Sequence, residues 1–182
     1  MDTSIGQLKK IFKQSPLSDL VVTGYIDKGS SLSARNAPRQ RFGQFHALWD
    51  EIYLEVGQTL LRFRAIDAYS RLHISQVERI ECSFDIDPDD TFGLMSALRI
   101  LLPSGRDSAQ VERLDLFLEP EGLPEEAVAI ALGLALDKDE YLFFDPQDAA
   151  NGIHVGPAQS RDLWLLWKGA QYQLKSFPIE TP

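Results

Sequence analysis

The stretch Trp49-Asp50-Glu51-Ile52-Tyr53-Leu54-Glu55-Val56-Gly57-Gln58-Thr59-Leu60-Leu61-Arg62-Phe63-Arg64-Ala65-Ile66 decides the fold. Two alternating runs flank Gly57-Gln58, a dipeptide suited to a two-residue II′ turn because glycine supplies a positive φ at its first position. Such a turn fixes the register, setting Val56 opposite Thr59, Leu54 opposite Leu61 and Ile52 opposite Phe63. One face of the hairpin is then apolar. The other sets Tyr53 against Arg62 and Glu51 against Arg64, with opposite charges facing each other in the second pair.

Toward the N-terminus, Ile5, Leu8, Ile11 and Phe12 recur at helical spacing, with Lys9, Lys10 and Lys13 on the other side. Thr3 or Ser4 can cap this helix, and Ser15-Pro16 stops it. Leu20 to Ile26 reads as a strand rich in β-branched residues. The segment 27–41 is long, aperiodic and basic, holding Lys28, Arg35, Arg39 and Arg41. It reads as a mobile surface loop, with a site for phosphate or an acidic partner as the functional alternative. Phe42 to Ala47 extends the first strand of the hairpin.

Toward the C-terminus, Asp67 to Ser70 reads as a turn, and Leu72 and Ile74 alternate briefly. Ile80, Cys82, Phe84 and Ile86 alternate with Arg79, Glu81, Ser83 and Asp85, the pattern of an antiparallel strand with one wet face and a buried Cys82. Phe92 to Leu102 is expected to be a helix capped at Asp89-Asp90-Thr91, and Leu114 to Leu118 a strand. Pro124-Glu125-Glu126 suits a first helical turn, so Ala127 to Leu136, apolar all round, is expected to be a buried helix. Tyr141 to Phe144 and Ile153 to Val155 are further strands. Leu163 to Trp167 and Tyr172 to Leu174 flank Lys168-Gly169 as a second hairpin, and the tail 178–182 should fray. On a strand, Leu163, Leu165 and Trp167 share one face, and Trp164 and Leu166 the other.

The sum is an α+β fold in a single domain, residues 1–182: a mostly antiparallel, meandering sheet with two or three helices packed on one face. The 182 residues include 18 Lys and Arg against 27 Asp and Glu, a net charge of −9. The imbalance is uneven. Residues 1–41 carry seven basic against three acidic side chains, and the remaining 141 carry eleven against 24. That acidic body repels nucleic-acid phosphates and anionic lipid and attracts a basic partner. No apolar run reaches membrane-spanning length and no secretory signal is evident, so the expected location is the cytoplasm.

Motifs for chemistry are absent from the sequence. Cys82 is the only cysteine, the three histidines are far apart, and no Gly-rich phosphate cradle or Gly-x-Ser-x-Gly appears, so neither cofactor nor metal is expected. Asp85, Asp87, Asp89 and Asp90 begin like a calcium loop. However, Asp90 stands where the sixth-position glycine belongs and Ser96 where the bidentate glutamate belongs. The expected function is therefore a non-enzymatic protein-binding module. Small acidic bacterial proteins of this kind neutralise a basic partner, as toxin-immunity proteins do. The alternatives are a hydrolase with a fold-assembled carboxylate site, or a secretion chaperone or homodimeric assembly subunit. The expected partner-binding residues are Asp85, Asp87, Asp89 and Asp90, with Trp164 and Trp167 as apolar anchors. The molecule is expected to be a monomer or a homodimer.

Overall fold

The computed structural model describes residues 3–27, 44–120, 128–148 and 152–180. The central hairpin has the expected register, with Val56 opposite Thr59, Leu54 opposite Leu61, Ile52 opposite Phe63, Tyr53 opposite Arg62 and Glu51 opposite Arg64. Gly57 has φ +60° and Gln58 has no positive φ, the II′ pattern rather than I′. The hairpin strands are β2 (Gln44–Val56) and β3 (Thr59–Ile66). They continue as a meander into β1 (Leu17–Asp27) on one side and β4 (Arg71–Val77) on the other. Two further strands close this first sheet. β5 (Thr91–Ser96) pairs with β1, and the two-residue β7 (Val128–Ala129) pairs with β4.

A second antiparallel sheet holds β10 (Gly152–Gly156), β9 (Tyr141–Asp148), β8 (Ala131–Leu136), β6 (Val111–Leu118) and β11 (Gln173–Pro178), in that spatial order. The two sheets face each other. Phe63 of the first meets Phe144 of the second edge to face, with ring centroids 5.1 Å apart. One apolar core runs between them from Leu20, Ile52, Leu54 and Leu61 to Leu114, Leu132, Leu134 and Leu142. Each such side chain, taken fully out of water, contributes roughly 1.5–3 kcal/mol. Helix α1 (Ile5–Gln14) adds Ile5, Leu8 and Phe12 to this core. Ser4 caps it: its hydroxyl accepts from the Gln7 amide while the Gln7 side chain accepts from the Ser4 amide.

Among the described residues the fold is thus mostly antiparallel sheet with three helices, compatible with α+β but dominated by its sheets. The sheets cover one another's apolar faces. The expectation of helices gathered on one apolar face is to that extent corrected.

Several local expectations are also overturned. Residues 128–136 form strands, not a helix; β8 lies between β6 and β9 with both faces covered, and an uninterrupted apolar run suits that position as well as a buried helix. Residues 163–167 belong to helix α3 (Ala158–Lys168), because five apolar residues cannot separate a period of 2 from one of 3.6. Residues 92–102 divide into β5 and the four-residue helix α2 (Leu98–Leu101). Residues 78–90 are not a strand. This segment lies across the outer face of the first sheet instead of joining an edge, and Cys82 is exposed rather than buried. Ile179, near the end of the described residues, is 5% exposed, and its amide donates to the Glu112 carbonyl at 2.8 Å. The basic loop lies outside the described residues, apart from Asp27 at the end of β1.

Candidate functional site

The site begins with a fault in the β1–β2 pairing. Val22 lies opposite Ile52 but Thr23 lies opposite Leu48, so Trp49, Asp50 and Glu51 have no partner on β1. Extra residues on one strand bend it, break the ladder and re-aim side chains, and such bulges concentrate beside functional sites. Gly152 of β10 backs the bulge. A Cβ there would come within 2.5 Å of the Trp49 carbonyl carbon, and its φ is +85°, so both space and conformation require glycine.

Across from the bulge, the β3–β4 turn holds three successive non-glycine residues in the left-handed region: Asp67 at φ 51°, Ala68 at 53° and Tyr69 at 63°. Each costs about 1–2 kcal/mol relative to ordinary backbone. This strained turn places Tyr69 beside the bulge, where its hydroxyl donates to Asp50 Oδ1 at 2.6 Å. That hydrogen bond, with the Asp50 charge behind it, raises the Tyr69 phenol above its usual range. Segment 78–90 crosses the outer face of the sheet. The Glu81 backbone lies beside the Tyr53 hydroxyl, and the Phe84 ring packs 6.1 Å from that of Phe92.

Bulge, turn and crossing segment enclose a partly open cavity of about 240 Å³, lined by Thr23, Asp50, Glu51, Arg64, Tyr69 and Phe84 among others. Its floor is unusual. Glu51, expected to be a solvated cross-strand partner of Arg64, is 3% exposed. Its Oε1 accepts from the Tyr53 hydroxyl at 2.8 Å, while Oε2 has no hydrogen-bond partner. Among the described residues no Lys or Arg forms an ion pair with it. Thr23 Oγ1, also lining the cavity, is likewise buried and unpartnered. Burial, followed by the Glu51 hydrogen bond and charge, pushes the Tyr53 phenol well above its usual range. Buried polar groups are satisfied in the great majority of cases, and a buried carboxylate without a cation is costly. Both residues line this one cavity.

The expected acidic residues lie on the same crossing segment. Asp85, Asp87 and Asp89 are exposed and Asp90 half-exposed, and a turn from the Asp90 amide to the Asp87 carbonyl shapes them. The two tryptophans are on the opposite side of the molecule and separate from each other. Trp164, 5% exposed, packs under α3 against Phe117, Phe143 and Tyr172; Trp167 is 80% exposed.

Other polar clusters fasten the fold. Arg106 binds Asp137 Oδ1 and Glu140 Oε2, each at 2.7 Å. Burial alone would raise the Asp115 carboxyl, but hydrogen bonds from Arg113, Ser176 and Tyr141 outweigh it and hold it below the usual range. Among the described residues no group of three or more His, Cys, Asp or Glu is placed to hold a metal.

In the sequence Glu51 and Arg64 stand out only as a cross-strand pair of opposite charge. The missed signal is a slip of phase. Phe45, Ala47 and Trp49 alternate on odd numbers, whereas Ile52, Leu54 and Val56 alternate on even ones, so the strand must gain an odd number of residues where the phase changes. No protein-family model, curated protein or solved structure matches the chain.

Proposed function

We propose that this chain is a binding module for a basic protein partner, and that the cavity beneath segment 78–90 receives a Lys or Arg side chain of that partner. The observation that carries the reading is the Glu51 carboxylate, buried, unpaired and with Oε2 unsatisfied at the cavity. A guanidinium or ammonium guest supplies both the missing donor and the missing charge. Tyr69 and Phe84 bring aromatic rings to the same cavity, and aromatic rings attract cations. At about 240 Å³ the cavity is below the usual 300–1,000 Å³ of cofactor and drug-sized sites, and a single side chain fits it better. Arg anchored in a central pocket is also a common hot spot of protein interfaces.

In this reading Asp85, Asp87, Asp89 and Asp90 steer the partner, raising its association rate rather than its residence time. A hydrolase reading would need a nucleophile paired with a base. Thr23, Tyr69 and Ser83 bring hydroxyls to the cavity, but among the described residues no histidine lines it, and this reading ranks second.

The test is fluorescence anisotropy with labelled Arg-containing and Lys-containing peptides against wild type, Glu51→Gln and Asp85→Asn. Each variant loses one charge. The reading expects Glu51→Gln to weaken binding at least tenfold and Asp85→Asn to change it less than threefold. Equal effects would mean general attraction to an acidic surface, and would refute a role for the cavity.

A further inference from the structure

Strand β4 ends on one side of the first sheet and β5 begins on the other, so segment 78–90 must cross β3, β2 and β1 to join them. It crosses the outer face, with Ser83 and Phe84 on the Glu51 cavity and the Glu81 backbone beside the Tyr53 hydroxyl. Its hold there is slight. It joins no ladder among the described residues, and none of its thirteen residues is buried; Ile80, Phe84 and Ile86 are only half-covered. A segment with neither ladder bonds nor buried apolar side chains sits at the low end of local stability. The connection also has slack. Along the ladders Val77 is level with Asp19 of β1, and Thr91 pairs with Ile26 of the same strand. The ends are therefore four strand spacings and seven residues apart, about 30 Å, whereas fourteen residues reach about 46–50 Å. The segment can leave the face while every strand stays paired.

Charge decides whether it lies down. The segment carries six acidic side chains and one basic. Beneath it the Glu51 carboxylate is 3% exposed, with Oε2 unpartnered. Closure strips that carboxylate of water and lifting restores it, so an uncompensated Glu51 charge works against closure. Neutralising the charge removes the opposition. We infer that segment 78–90 is a strap that opens and closes over Glu51, and that a cation bound at Glu51 closes it. The inference rests on the reading of Glu51 as the anchor of a partner's Lys or Arg. Such a cation binds the closed state more tightly than the open one, because only closure brings Phe84 and the acidic strap to it. That difference in affinity is what shifts the equilibrium. The strap admits the side chain and then shuts on it.

Limited proteolysis of the full chain with a Glu-specific protease tests this, read by mass spectrometry at Glu78 and Glu81, because cutting needs the strap to lift clear of the sheet. A free peptide of residues 76–92 shows whether the added cations act on the protease itself. The wild-type strap should be cut at a rate that depends on urea far less than global unfolding does. Glu51→Gln should slow the cut at least tenfold with nothing added. N-methylguanidinium or n-butylammonium, at a hundred times its Kd, should slow the wild-type cut at least tenfold, out of the roughly hundredfold that binding to the closed state alone would give. Neither should alter the rate in Glu51→Gln. A strap cut only as fast as the whole chain unfolds, or equally fast in wild type and Glu51→Gln, overturns the inference. So does cation binding at the cavity that leaves the wild-type rate unchanged, although the cation site itself then stands. Slow cutting in Glu51→Gln with no cation binding by the wild type overturns the cation's part in closure, and the proposed function with it.

Discussion

Glu51→Gln should make the free protein more stable. The substitution keeps the shape of the side chain and the acceptor for the Tyr53 hydroxyl, which lies 2.8 Å from Oε1. It removes a buried charge whose other oxygen has no partner, a defect worth about 1–3 kcal/mol. Against this, the Tyr53 hydrogen bond loses its charged acceptor and falls from about 1.5–3 to about 0.5–1.5 kcal/mol, a loss near 1 kcal/mol. The new amide nitrogen stands where Oε2 stood and carries no charge. The balance is a gain of about 1 kcal/mol, which for a chain of this size raises Tm by about 2–4 °C. Urea unfolding at neutral pH, followed by tryptophan fluorescence, reads it as a higher midpoint at unchanged slope. A loss of more than ~1 kcal/mol would refute the reasoning, since it would mean that the carboxylate is satisfied and holds the fold together. A gain in stability coupled to a loss of binding is what a site kept at the expense of the fold should give.

Three further outcomes are expected. Ala68→Gly should stabilise by about 1 kcal/mol, the reverse of the usual sign, because Ala68 is held at φ 53° in the strained turn; a destabilised variant in the same urea assay would contradict that strain. Trp164→Ala should cost roughly 3–5 kcal/mol, whereas Trp167→Ala should fall within about ±0.5; equal effects would contradict the orientation of α3. In the folded state Asp115 binds its proton less readily than in the unfolded chain, so its contribution is complete above about pH 4 and is lost as the pH falls through its lower folded value. Asp115→Asn should therefore be less stable at neutral pH and lose less on acidification, and parallel stability–pH curves below about pH 4 would contradict this.

The hairpin was legible because two independent signals, the alternation of 49–66 and the Gly57 turn, required one register. Helix α1 was legible because its cap and its apolar spacing agreed. Residues 128–136 and 163–167 were not, since each is apolar on every side and periodicity then carries no information. What decides them is tertiary. β8 gains two strand neighbours, whereas α3 lies over the finished sheet. The alternation at 79–86 was real, but the segment lies across the face of the sheet instead of joining an edge. Half of the cavity was also readable, in the phase slip at Trp49–Ile52. The other half was not: Asp67, Ala68 and Tyr69 carry no glycine or asparagine to announce a left-handed turn, so only the surrounding structure imposes it.

The most direct test of the central claim is a titration of isotope-labelled protein with N-methylguanidinium and n-butylammonium, the free ends of arginine and lysine, followed by amide chemical shifts. Saturable shifts confined to Thr23, Asp50, Glu51, Arg64, Tyr69 and Phe84 are expected in the wild type, and none at those positions in Glu51→Gln. Shifts spread evenly over the acidic surface, or identical in the two proteins, would contradict it.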